Sequence, residues 1–231
     1  RALAGSSKAL YGVDISPDGR TIAAAGHDQT VYLWDITDGQ LLQSLKGHTN
    51  SIFRVVFHPD GALLASGSTD GTVRLWNVAN LRTIRAGETV PDQPVAVLHA
   101  NPRFVYDAAF SPDGRTLAAV GADQSVRLWD VIQSNGFELV AVPKTVLETD
   151  EQDLYAVAFS PDGSHLVCGG DRRIYLWDLQ RAQLVRQLQH HTSSIFATVF
   201  SPDGTLIASS GPDCTVCVWE VGGGALRAHL R

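Results

Sequence analysis

Few side chains in this 231-residue chain have the types and spacing to do chemistry. His48, Ser68 and Asp70 offer the imidazole, hydroxyl and carboxylate of a nucleophilic triad. Cys214 and Cys217 form a Cys-x-x-Cys, the spacing of metal and dithiol chemistry. There is no Gly-rich phosphate loop, no His-Glu-x-x-His and no Gly-x-Ser-x-Gly. The cysteine pair has no second pair to join it, because Cys168 stands alone, and it lies on the turn and strand leading into Trp219 without a βαβ context. Two small residues filling a β-strand is the reading taken, and neither a metal nor a cofactor is expected.

The elements that must position these groups come from one pattern written five times. Its turns are Ser16-Pro17-Asp18-Gly19, His58-Pro59-Asp60-Gly61, Ser111-Pro112-Asp113-Gly114, Ser160-Pro161-Asp162-Gly163 and Ser201-Pro202-Asp203-Gly204. A tryptophan follows each turn 17 or 18 positions on: Trp34, Trp76, Trp129, Trp177 and Trp219, every tryptophan in the chain. Asp35, Asp130 and Asp178 complete a Trp-Asp pair, while Asn77 and Glu220 are variants of it. Between these marks apolar residues alternate in short runs broken by turn residues, which predicts hairpins and no helix. In the turn, Pro presets φ, Asp bonds its own backbone, and Gly takes the positive φ.

Five such units in register resemble the WD40 repeat family from about Leu3 to the end of the chain. The resemblance implies an all-β fold, a β-propeller of four-stranded antiparallel blades, five in this chain. The blades fall at about 10–45, 52–98, 105–148, 154–188 and 195–230 of a single 1–231 domain, with residues 1–5 as the tail of a preceding repeat. The regular Ser-Pro-Asp-Gly turns look like those of bacterial arrays. Five blades either close into a small ring or need blades from another chain. The chain begins at Arg1 and holds no methionine, so it is expected to be a piece of something longer.

The resemblance also implies a buried network of His, Ser or Thr, Asp and Trp within a blade. The second blade alone is expected to carry it whole, as His48, Ser68, Asp70 and Trp76. The other blades keep Asp28, Asp123, Asp171 and Asp213 but show Gly26, Gly121, Gly169 and Gly211 at the assigned hydroxyl position, and His191 is retained in the fifth. A hydroxyl turned to an indole inside a blade is not a nucleophile, so the triad reading is set aside. No catalytic residue is expected.

Five residues before each turn's first residue stands an aromatic: Tyr11, Phe53, Tyr106, Tyr155 and Phe196. In proteins of this resemblance the position lies beside the channel mouth, on the face of the Asp turns, where it would anchor a peptide. Counted by twos, it also shares a strand face with Val13, Val55 and Val157, which makes it inter-blade packing instead. Both readings stand at this point. His27, Thr69, Ala122 and Pro212, just before the turn Asp, and Arg54 and Asp107 on the first strands are expected on the same face.

Composition bounds the rest. At 44% hydrophobic and 18% charged, the chain is an ordinary globular one, and a net charge of −6 without basic clusters argues against nucleic acid. No apolar run reaches membrane-spanning length. The expected function is a cytoplasmic, non-enzymatic scaffold or sensor in a larger signalling polypeptide. Its partner would be a protein or peptide segment, another domain of the same polypeptide, or a chain supplying missing blades. A propeller accessory to a hydrolase, peptidase or periplasmic system is the alternative. The insertions 78–94 and 131–143 are expected as loops between third and fourth strands.

Overall fold

The computed structural model describes residues 3, 5–79, 81, 93–134 and 138–231. Every regular element among them is a strand, and the twenty strands form five four-stranded antiparallel sheets. The first sheet is β1 (Leu10–Ile15), β2 (Thr21–Gly26), β3 (Thr30–Asp35) and β4 (Leu41–Lys46). The second is β5 (Ile52–Phe57), β6 (Leu63–Ser68), β7 (Thr72–Asn77) and β8 (Ala96–His99). The third is β9 (Val105–Phe110), β10 (Thr116–Gly121), β11 (Ser125–Ser134) and β12 (Glu138–Glu148). The fourth is β13 (Ala156–Phe159), β14 (His165–Gly169), β15 (Arg173–Asp178) and β16 (Gln183–Gln189). The fifth is β17 (Ala197–Phe200), β18 (Leu206–Ser210), β19 (Val216–Glu220) and β20 (Leu226–Leu230). Each sheet runs in chain order, so strands consecutive in the chain lie side by side within it.

One expected loop is strand. β11 and β12 run on into 131–143, so this insertion is largely a lengthened hairpin. Val131, Ile132, Val140 and Val142 are β-branched residues that favour strand, which lets a ladder extend where a loop was expected. Most of the other insertion, 78–94, lies outside the described residues; Val78 and Leu81 are buried beside Phe57 and Trp76.

Two compact units divide the chain: Arg1–Ala108 with Val131–Val142, and Ala109–Asp130 with Pro143–Arg231. In the first, Ala23, Ala25, Val31 and Leu33 of the first sheet pack on Ile52, Val55, Phe57 and Trp76 of the second. In the second, Val167, Ile174 and Leu176 meet Ile195, Phe200, Ile207 and Trp219 in the same way. The tryptophan thus faces the preceding sheet, while alternate residues of the same strand face the following one. Trp34 is only 3% exposed, and the backbone at Gly5 lies against its ring, where a Cβ would stand 2.8 Å from Cζ2.

The repeated turn does what its residues dictate. Gly19 N–H donates to Ser16 O (2.8 Å), Asp18 Oδ1 accepts from Arg20 N–H (3.0 Å), and Gly19 has φ of 70°. In the fourth sheet the Ser160 hydroxyl, with the Ser164 N–H and hydroxyl, holds the Asp162 carboxyl down to about 2.

The other hairpin turn places a residue in the left-handed region. Gly71 (φ 84°) occupies it in the second sheet, but Gln29 (65°), Gln124 (66°) and Cys214 (61°) occupy it elsewhere. A side chain there is strained. Gln29→Gly is therefore expected to stabilise the chain by about 0.5–1 kcal/mol, the strain relief being partly offset by the freer unfolded glycine. An unchanged or lower denaturation midpoint would contradict this.

Candidate functional site

The polar groups come together, but not with the expected hydroxyl. His48 Nδ1 donates to Asp70 Oδ2 (2.8 Å), and His48 Nε2 meets Ser66 Oγ at 2.7 Å. Trp76 Nε1–H donates to the same oxygen at 2.8 Å. The chain of donation is indole to serine to imidazole to carboxylate. Ser66, not Ser68, is the hydroxyl: in the β6–β7 register Leu64 pairs with Trp76, and Ser66 is the next residue on that face. Ser68 donates to Asn50 O (3.1 Å) and accepts the Asp70 N–H (3.1 Å).

The same shift corrects the fifth sheet, which carries a second complete network. His191 Nδ1 donates to Asp213 Oδ2 (2.8 Å), His191 Nε2 meets Ser209 Oγ (2.8 Å), and Trp219 Nε1–H donates to Ser209 Oγ (3.0 Å). The glycines taken for missing hydroxyls do another job. A Cβ on Gly211 would lie 2.0 Å from Ser194 O and one on Gly26 2.1 Å from Ala9 O, so at these two glycines the chain entering the first strand crosses too closely for any side chain.

Where the His–Ser pair is absent, the strand residue two before the tryptophan substitutes for it. The Tyr32 hydroxyl donates to Asp28 (2.9 Å), Arg127 pairs with Asp123 (2.5 Å), and the Tyr175 hydroxyl donates to Asp150. In the fourth sheet Cys168 sits at the serine's place, fully buried, and burial pushes its thiol up to about 12. Ser66 is 0% exposed and Ser209 2%, each held by an indole. Neither hydroxyl faces solvent, so these networks tie each sheet together rather than act on a substrate.

The aromatic row is different. A β-bulge leaves Tyr11 unpaired between Leu10 and Gly12, and Phe53 unpaired between Ile52 and Arg54. The extra residue breaks the alternation by twos. Ile52 and Val55 are 0% exposed while Phe53 is 37% and Tyr11 49% exposed, so Phe53 leaves the face that Val55 shares with the core. Tyr11 stacks on Phe53 (centroids 4.9 Å, 17°), Phe53 meets Tyr106 edge-on (6.0 Å, 78°), and Tyr106 meets Phe104 (6.0 Å). Phe104 escaped the sequence reading, because it lies outside the repeated position, at the strand approach.

Polar residues flank this stack. Arg54 Nε pairs with Asp107 (3.2 Å) and also donates to Ala108 O (3.3 Å). His27 Nδ1 meets Ser51 Oγ (3.1 Å), and Thr69 donates its N–H and hydroxyl to Ser51 O (2.9 and 3.2 Å). These three places therefore hold adjoining loops as well as bordering the patch. In the second unit Tyr155 and Phe196 form their own edge-on pair (5.3 Å), with Phe196 59% exposed. Tyr155 donates to Asp153 (3.2 Å) and Asp171 (3.3 Å), and burial together with these carboxylates pushes its hydroxyl up to about 12. Asp153 was not foreseen either.

Repeated four-stranded sheets, each carrying a buried tryptophan on its third strand, define a tandem-repeat β protein. Residues 1–35, 39–77, 92–130, 141–178 and 182–220 match the family profile described as WD domain, G-beta repeat. The chain belongs to the WD40 repeat family. Each matched stretch ends at the third strand of a sheet, so 39–77 spans β4 to β7 and stitches two neighbouring sheets.

The chain is similar to Coronin-7 of Homo sapiens, 31% identical over 140 residues, 59% of this chain and 15% of that protein. It is similar to Protein groucho of Drosophila melanogaster, 30% identical over 118 residues, 51% of this chain and 16% of that protein. It is also similar to WD repeat-containing protein VIP3 of Arabidopsis thaliana, 32% identical over 136 residues, 55% and 42% of the two. The matches thus span less than half of each relative's length. These are animal and plant proteins, and they lend no support to the bacterial origin expected from the turns. Among the described residues no helix is long and apolar enough to cross a membrane.

Proposed function

We propose that the chain is a non-enzymatic interaction scaffold that grips a peptide or protein segment on the face formed by Tyr11, Phe53 and Tyr106, with Arg54, Asp107, His27 and Thr69 at its border. The observation that carries this reading is the exposed stack of Tyr11 on Phe53, turned outward by two bulges. Aromatic rings already held by one another give contact area at little entropic cost, which suits a binding anchor. Membership of a repeat family whose relatives are long proteins supports a scaffold in a larger polypeptide, with the five blades as parts of one cytoplasmic propeller in a signalling setting. Tyr155 and Phe196 would serve as a second anchor on the second unit.

Selection from a phage-displayed random peptide library tests the proposal. The chain is expected to enrich peptides whose affinity falls at least tenfold in the Tyr11→Ala, Phe53→Ala double variant, a hot-spot loss. Leu184→Ser and Val185→Ser, at exposed positions on the outer strand β16, should leave binding unchanged. Failure to enrich any peptide, or equal binding by the double variant, would refute it.

A further inference from the structure

The fifth sheet differs from the others at one slot. In the second sheet the slot is filled by the Arg74 side chain, which lies over Gly47: a Cβ on that glycine would be 2.4 Å from a guanidinium nitrogen. Tyr32, Arg127 and Tyr175 hold the equivalent strand position, two before the tryptophan, in the other three sheets. All four are long side chains. In the fifth sheet Cys217 takes that position, and its short side chain ends at Sγ.

Two imidazoles line the space beyond. His190 stands immediately before the network histidine His191, where the second sheet has Gly47 before His48. His229 is the direct cross-strand partner of Cys217 between β19 and β20. One ligand atom from each of His190, Cys217 and His229 lies within 4.8 Å of the other two. The histidine rings stand edge to face, centroids 4.6 Å apart at 76°, and His190 also lies edge-on to Trp219 at 6.4 Å. Cys217 is 0% exposed while both histidines are exposed, so a sulfur floor lies beneath an open rim of two nitrogens.

We propose that His190, Cys217 and His229 form a site for a divalent ion of the zinc class. Two imidazoles and a thiolate are the donor set that a borderline-soft ion prefers over calcium or magnesium. Zinc bonds of about 2.0–2.3 Å bring tetrahedral ligand atoms to roughly 3.5 Å of one another. Rotation of the two exposed rings supplies that contraction without moving the strand. Binding exchanges the thiol proton of Cys217 for the metal and releases it to solvent, and water completes the fourth position. The Cys-x-x-Cys spacing plays no part: Cys214 is exposed on the turn, its sulfur directed at Pro212 O (3.8 Å).

Position indicates a purpose. β20 is the outermost strand of its sheet, and Leu226 and Leu230 are both exposed, so little apolar burial holds it. An ion bridging His229 to Cys217 and His190 would clip that strand to its neighbour and to the turn that enters the sheet. It acts as a clasp on this largely exposed outer strand.

Titration of the purified chain with Zn²⁺ by calorimetry, and with Co²⁺ by visible absorption, tests this. One ion per chain is expected, with a thiolate-to-cobalt charge-transfer band and a rise in the melting temperature on adding Zn²⁺. His229→Ala and His190→Ala should each weaken binding at least tenfold and remove the metal-dependent rise, whereas Cys214→Ser should change neither. Both histidines are exposed, so their variants fold even if Cys217→Ser does not. Absence of stoichiometric binding, a cobalt spectrum without the thiolate band, or binding undiminished in the histidine variants would overturn the site.

Discussion

Trp76→Ala is expected to lower the stability of the chain by about 4–5 kcal/mol, the upper part of the range for deleting a buried aromatic. Trp76 is 1% exposed and packs against Ala23, Val31 and Leu33 of the preceding sheet as well as Leu64 of its own. Removing it opens a cavity at the seam of two sheets, which neither can collapse to fill without losing register. It also takes the indole donor from Ser66, whose oxygen is buried with only His48 left beside it. Because domains of this kind are stable by about 5–15 kcal/mol, much of the margin goes with one side chain. Trp76→Phe keeps most of the ring and should lose about half as much. Equilibrium denaturation by guanidinium measures both, and a loss below about 1 kcal/mol for the alanine variant would mean that the seam does not depend on the indole.

Asp70→Ala is expected to cost about 3 kcal/mol and to alter how stability depends on acid. Asp70 accepts from His48 Nδ1, Thr49 N–H, Thr72 N–H and the Thr72 hydroxyl, and its side chain is 6% exposed. Deleting the carboxylate leaves these donors in a poorly hydrated place, each unpaired group costing about 1–3 kcal/mol before relaxation. Burial by itself would raise the carboxyl. The hydrogen bonds from His48, Thr72 and the Thr49 N–H outweigh burial and hold it well below the usual range. Asp213 is likewise depressed: its burial is outweighed by bonds from His191, Thr215 and the Thr192 N–H.

The sign follows from those depressed values. The unfolded chain takes up protons at these carboxyls at a higher pH than the folded chain does. Their stabilisation is therefore complete above the ordinary carboxylate range and drains away as pH falls through it toward the folded values. Chemical denaturation from pH 6 to pH 2 should show a fall in stability that Asp70→Asn and Asp213→Asn together make shallower. An identical slope in the double variant would remove the two networks from the account of acid sensitivity.

The strands were legible in the residues because their signals are local. β1, β3, β5, β7, β9 and β15 begin and end where alternation and turn chemistry set them. Asp18 and Gly19 close their turn with bonds that span only a few residues. The pairing of His48 with Asp70 was legible too, since the two turns that bring them together are of fixed length.

What tertiary structure alone decided depends on pairing between strands. A hydroxyl two residues away on the same strand looks equivalent in sequence, and only the register of Leu64 opposite Trp76 selects Ser66 over Ser68 and Ser209 over Gly211. The bulges at Tyr11 and Phe53 likewise exist only in relation to a partner strand, and they turn those rings outward when a count by twos would place Phe53 beside Val55. His190, Cys217 and His229 meet because β19 and β20 lie side by side behind the entering turn, a proximity with no trace in spacing along the chain. Local conformational preference travels with the residue itself. Facing and proximity belong to the ladder between strands, which no single stretch of sequence contains.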